Sequence, residues 1–156
     1  MRVYVLSKRE FEIIMKDNKI DDSNVEKRDS VMFISIVDTQ NREGPYFQEN
    51  HDNVINFRFD DVEHDDEVSP TQEENTKAFS KEQAEQLFKF IKKNKEKETC
   101  IVHCMAGISR SAAVGVFVNG YCGGDWELFK RDNPHIAPNA RVARMLNAAR
   151  YEDLDD

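Results

Sequence analysis

Thr99-Cys100-Ile101-Val102-His103-Cys104-Met105-Ala106-Gly107-Ile108-Ser109-Arg110-Ser111-Ala112-Ala113-Val114-Gly115-Val116-Phe117-Val118 is the stretch that decides how this chain is read. Its opening is β-prone and its end, from Ser111, has the small and aliphatic composition of a buried helix. Between the two, Gly107 tolerates the positive φ that a tight turn needs. A chain turning from strand into helix points successive N–H groups into a concavity, and the helix N-terminus adds positive potential, so a tetrahedral anion is held there. Arg110 contributes a planar donor fork matched to two oxygens of such an anion. The same electropositive surroundings favour the thiolate of Cys104 over the thiol. Ser111 is placed to hydrogen-bond that sulfur and stabilise it as a leaving group. His103, pointing away from the loop, is expected to orient backbone around the cysteine rather than to act as a base. Read physically, the stretch is a phosphate trap built around a nucleophile.

Val102 through Ser111 resembles, position for position, the His-Cys-x-x-Gly-x-x-Arg-Ser/Thr signature of the cysteine-dependent protein tyrosine phosphatase superfamily. The Ala106-Gly107-Ile108-Ser109-Arg110-Ser111 ending is most similar to the dual-specificity branch and to small bacterial and phage-type tyrosine phosphatases. Further on, Ile136-Ala137-Pro138-Asn139 ahead of Ala140-Arg141-Val142 resembles the Pro-Asn motif that opens the last helix in that branch, where the asparagine braces the phosphate loop. The resemblance is tight from about residue 100 to 149 and looser over 53–99. It implies a phosphatase-like α/β fold, with a mainly parallel central sheet flanked by helices and the Cys-x5-Arg loop between the central strand and a helix. It also implies a metal-independent phosphoric monoester hydrolase working through a cysteinyl-phosphate, with no cofactor. The amides of Met105, Ala106, Gly107, Ile108, Ser109 and Arg110 would hold the phosphate. A general acid is implied on the loop after the strand preceding the central one. That loop begins Phe59-Asp60-Asp61.

Asp61 is the first candidate for that acid, because Ile55, Phe57, Phe59 and Asp61 share one parity along the strand. Asp60 is the second, with Asp65 or Asp66 behind it. Other readings of Cys104 are weaker. A core thiol would not need Gly107, Arg110 and Ser111 at these offsets, sulfurtransferase loops have a shorter Cys-to-Arg interval, and low-molecular-weight phosphatases carry the motif near the chain start. A phospho-residue receptor without hydrolysis uses the same loop and stays as the competing class. Within the enzyme class, a phosphorylated protein or peptide is the expected substrate, with tyrosine or dual specificity. An RNA 5′ phosphate or a small metabolite is the alternative. The loop lacks the lysines that phosphoinositide phosphatases of the superfamily carry. Tyr46-Phe47 and residues 60–79 are the candidates for setting pocket depth.

Around this centre the chain reads as one α/β phosphatase domain over its 156 residues. Arg2 to Leu6 is a strand, and Ser7-Lys8-Arg9-Glu10 makes a capping box for a helix to about Met15. Residues 17–30 are polar loop with room for a helical turn. Val31 to Val37 is a continuous apolar run, expected to be a strand covered on both faces. A long loop over 40–53 leads to the strand Val54 to Phe59 and to the acidic stretch that follows it. Ser80-Lys81-Glu82-Gln83 caps a helix with Ala84, Leu87, Phe88 and Ile91 on one face. After the helix that begins at Ser111, which Gly120 or Gly123-Gly124 is expected to end, come a short helix from Asp125 and the last helix from Pro138-Asn139. Val142, Met145, Leu146 and Ala149 mark the inner face of that last helix.

Composition sets the remaining expectations. A net charge of −8 argues against a protein that binds nucleic acid through its phosphates. It also opposes a dianionic substrate, but the Debye length of about 8 Å at physiological salt leaves local donors dominant at contact. No run is long and apolar enough for a membrane span, and three cysteines do not make a disulfide framework. The expectation is a cytoplasmic monomer without membrane partners. His51, His64, His103 and His135 lack metal-ligand spacing, so no metal site is expected. Cys100 lies roughly 13 Å from Cys104 along an extended strand. It reads as a core thiol, as does Cys122 at a helix end, and Trp126 reads as packing.

Overall fold

The computed structural model describes residues 1–64 and 76–154, with the side chain of the last of these left aside. Asp65 and Asp66 therefore lie outside the described residues. Strands β1 (Arg2–Ser7), β2 (Val31–Val37), β3 (Val54–Arg58) and β4 (Thr99–Cys104) form one sheet in the order β1-β4-β2-β3, with every pairing parallel. Helices α1 (Lys8–Asp17), α2 (Lys81–Lys93), α3 (Arg110–Tyr121), α4 (Trp126–Asp132) and α5 (Ala140–Leu154) surround it. The protein is thus α/β with an all-parallel central sheet. Among the described residues no helix is long and apolar enough to cross a membrane.

The period-two alternation of strands sorts the apolar residues into two cores. Val3, Val5, Met32, Ile34, Ile36, Phe57, Cys100, Val102 and Cys104 face one side with residues of α2, α3 and α5. Phe33 and Val54 face the other, with Phe11 and Met15 of α1, Ile20 and Val25. β2 is buried from Met32 to Val37, as its unbroken apolar run requires of a strand covered on both faces. β4 lies between β1 and β2, so its C-terminal end, Cys104, emerges at the middle of the sheet edge where α/β proteins bind ligands.

Local chemistry sets the helix starts. Ser7 Oγ accepts the Glu10 N–H at 3.1 Å while Glu10 Oε1 accepts the Ser7 N–H at 2.9 Å. Ser80 and Gln83 repeat the arrangement for α2. Each such cap is typically worth about 1 kcal/mol. α1 runs to Asp17, two residues past the sequence expectation, because Asn18 closes it by donating to Ile14 and Lys16 carbonyls. A 3-10 turn, Val25–Lys27, occupies the polar segment and buries Val25. α3 continues through Gly120 to Tyr121, and Cys122 closes it by donating to the Val118 carbonyl. The stop comes at Gly123, with φ +71.

Two side chains differ from expectation. Phe47 does not border a pocket: it is fully buried, edge-on to Phe11 at 6.1 Å and Phe33 at 5.7 Å. Parallel neighbours β2 and β3 need a crossover. The loop between them makes it without a helix, so Phe47 supplies the cover a helix would. Trp126 is 48% exposed, stacked on Phe129 with the Lys130 ammonium 5.8 Å from its ring centroid, so it packs at the surface and not in the core.

Candidate active site

The carboxyl ends of three adjacent strands converge on one loop. β4 ends at Cys104, α3 begins at Arg110, and residues 105–109 connect them. Gly107 has φ +74, and a Cβ there would lie 2.5 Å from Leu6 C and Ser7 N. Both the left-handed backbone and the close approach to β1 exclude a side chain. The Met105 carbonyl accepts the Lys8 N–H at 3.2 Å, the Ile108 carbonyl accepts that of Ala137 at 2.8 Å, and the Ser109 carbonyl accepts that of Asn139 at 3.0 Å. The loop is held from both flanks. These bonds engage its carbonyls, while the Gly107 N–H turns inward to Cys104 Sγ.

Cys104 is 2% exposed. Its Sγ lies 3.1 Å from Ser111 Oγ and receives the Gly107 N–H at 3.3 Å. Burial is the largest influence on this thiol and works against ionisation. The Ser111 hydroxyl and amide, the Arg110 charge and the Gly107 amide together outweigh it, so the pKa lies below the ordinary thiol value. Between a Cys104 thiolate and Ser111 Oγ, the hydroxyl is the donor. The other cysteines go the opposite way. Burial raises Cys100 far above the ordinary range and Cys122 to about 11, which leaves both unreactive.

Arg110 is 5% exposed and gathers the ends of the neighbouring strands. Its Nη1 donates to the Phe59 carbonyl at 2.7 Å and meets Asp38 Oδ1 at 2.7 Å. Phe59 follows β3 and Asp38 follows β2. The Arg110 Nε–H is buried and has no partner among the described residues. A buried, unpaired guanidinium N–H is costly unless an acceptor reaches it.

His103 is fully buried, with Nδ1 donating to the Cys104 carbonyl at 3.2 Å and Nε2 accepting from Ser35 Oγ at 2.6 Å. Burial, as the first cause, lowers its pKa to about 4. The ring is neutral at pH 7 and holds the backbone of Cys104.

Asp60 and Asp61 part company. Asp60 accepts from Thr39 N–H and Oγ1 and from the Lys77 amide, fastening the far end of its own loop and the loop after β2 to one carboxylate. Asp61 Oδ1 accepts from Ser109 Oγ at 2.8 Å and from Asn139 Nδ2 at 2.7 Å, which brings its carboxyl to the rim of the Cys104 loop. Asn139 is shared three ways, since its Nδ2 also donates to the Val62 carbonyl at 3.3 Å and its Oδ1 accepts the Val142 N–H and so caps α5. Ser109, the residue before α3, makes no side-chain cap bond and spends its hydroxyl on Asp61 instead.

The structure brings together Cys104, Ser111, Arg110, Asp61, Asn139 and the loop residues 105–109. His103 lies directly behind them. Sequence reasoning missed Asp38 and Ser35. Both lie on or just after β2, and knowing that β2 pairs with β4 points to them. It also missed that Asp22, Glu49 and His51 carry ligand-type atoms within 4.8 Å of one another. His51 Nε2 pairs with Asp22 Oδ1 at 2.8 Å, and Asp22 Oδ2 accepts the Gln48 N–H, so the group serves to pin the 48–51 loop.

No family model matches the chain, and no curated protein matches it. The functional reading rests on the residues themselves.

Proposed function

We propose that the protein is a cysteine-based phosphoric monoester hydrolase acting on phosphorylated protein, of tyrosine or dual specificity. The observation that carries this reading is the unpaired, buried Arg110 Nε–H beside a cysteine whose pKa lies below the ordinary thiol value. An anion with several acceptor oxygens answers the first, and an electrophilic centre within it answers the second. In the first step a Cys104 Sγ lone pair attacks phosphorus, the bond to the ester oxygen breaks, and that oxygen takes a proton from Asp61. Arg110 and the loop amides stabilise the charge on the equatorial oxygens. In the second step water attacks phosphorus and gives a proton to Asp61 while the S–P bond breaks. The Ser111 hydroxyl supports the departing thiolate.

Cys104→Ser is expected to abolish phosphate release from a phosphotyrosine peptide while leaving its binding measurable, because Arg110 and the loop amides remain. Vanadate, which resembles the trigonal-bipyramidal transition state, is expected to block the wild-type chain. Appreciable turnover by pure Cys104→Ser would exclude the covalent route. Stable phosphopeptide binding by the wild-type chain, with no phosphate released over hours, would leave a receptor without hydrolysis.

A further inference from the structure

Beside the Cys104 loop a cleft of about 750 Å³ opens between α1 and the crossover loop after β2, with Met105 of the Cys104 loop in its lining. Arg9, Ile13 and Lys16 stand on one face of α1, at helical spacing, and Arg42 faces them from the loop. All four side chains are exposed, and Ile13 is 48% exposed. The buried Lys8 ammonium is paired with Glu12 and Glu43 and clamps the two walls together. Arg9, Lys16 and Arg42 form no ion pair among the described residues. In a chain of net charge −8, three unpaired cations around one exposed isoleucine make a local field opposite to that of the whole molecule.

We propose that this cleft is a substrate-recognition groove that takes an acidic segment of the phosphoprotein next to its phosphorylated residue, with an apolar side chain of that segment on Ile13. The proposal rests on the phosphoester reading of the Cys104 loop, with which the groove is continuous through Met105. Charge complementarity selects the occupant. A nucleic acid would meet the same cations, but the lining also presents the Glu12 and Glu43 carboxylates and has no aromatic ring on which a base stacks. Rim charges of this kind set encounter and salt dependence more than chemistry, so the groove acts on KM and leaves kcat alone.

The test uses the full chain and the double variant Arg9→Glu/Arg42→Glu, each with and without Cys104→Ser. Glutamate is favourable in the first turn of a helix, and a thermal melt checks that the variant folds. Phosphotyrosine peptides with Glu, Ala or Lys flanks, a 5′-phosphorylated RNA oligomer and p-nitrophenyl phosphate are compared. The wild-type chain is expected to show a KM roughly 10-fold lower for the Glu-flanked than for the Ala-flanked peptide. The double variant is expected to lose that preference with unchanged kcat and unchanged turnover of p-nitrophenyl phosphate. Equal KM across flanks, or an equal fall on the small ester, overturns the proposal. Salt-sensitive RNA binding that the double variant loses, without a peptide preference, gives the groove to nucleic acid and overturns it too. If the wild-type chain leaves p-nitrophenyl phosphate intact, the phosphatase reading has failed separately, and binding of the Glu- and Ala-flanked peptides to the Cys104→Ser chain then decides the groove: a preference supports it and its absence overturns it.

Discussion

Asp60 and Asp61 are adjacent and chemically identical, and the fold sends them to different tasks. Asp60 is saturated by Thr39 and the Lys77 amide, whereas Asp61 reaches the Cys104 loop through Ser109 and Asn139. Both donors to Asp61 act on Oδ1, so Oδ2 is the oxygen placed to carry and deliver a proton. Asp61→Asn is therefore expected to lower hydrolysis of a tyrosyl phosphate by about 10² to 10⁴-fold, the usual range of general acid help. An activated ester with a good leaving group should suffer far less. Steady-state kinetics on both ester types checks this. Near-wild-type rates on both would move the role to another carboxylate. Strand parity puts Phe57 and Phe59 in one core, but β3 ends at Arg58, so the position of Asp61 comes from its bonds to Ser109 and Asn139 and not from the strand's register. What parity could not give was Asp60's destination, since Thr39 and Lys77 become its neighbours only after two distant loops meet.

At the scale of elements, β4 and the turns at its end were legible because a strand, a loop with a glycine and an arginine, and a helix each have a local signature. Gly107 shows the limit of that legibility. Its positive φ follows from the turn, but the steric reason no side chain fits is the end of β1, far away in sequence. The Ser35–His103 pair is another contact between strands, from β2 to β4, and it makes a prediction about pH. His103 titrates at about 4 in the folded chain and near its ordinary 6.5 when unfolded. Between those values the unfolded state binds more protons, so stability is full above about pH 6.5 and is lost as pH falls toward about 4. The loss from this one group is on the order of 3 kcal/mol. Urea unfolding at pH 7, 5.5 and 4.5 should show the midpoint falling across that window, and His103→Asn should make the fall shallower. An unchanged slope in the variant would mean that other groups carry the acid sensitivity.

For the whole molecule, the order of strands and helices sufficed to anticipate a mainly parallel sheet with Cys104 at the end of its central strand. The strand order did not follow from local patterns, because it depends on which edges the crossovers reach. The buried Phe47 is a case in point. A loop replaces the helix between β2 and β3, so an aromatic residue that looked like a pocket wall became core. The same crossover carries Arg42 to the cleft beside the loop, which makes a locally basic surface on an acidic chain. The central claim remains chemical: that Cys104 takes the phosphoryl group from substrate and holds it until water removes it. Rapid acid quench during turnover of a phosphotyrosine peptide, followed by proteolysis and mass spectrometry, tests it most directly. The mass of one phosphoryl group is expected on the peptide that contains Cys104, more of it in Asp61→Asn with an activated ester, where breakdown lacks its base, and none in Cys104→Ser. Turnover without any phosphorylated Cys104, or with the phosphoryl group on another residue, would contradict it.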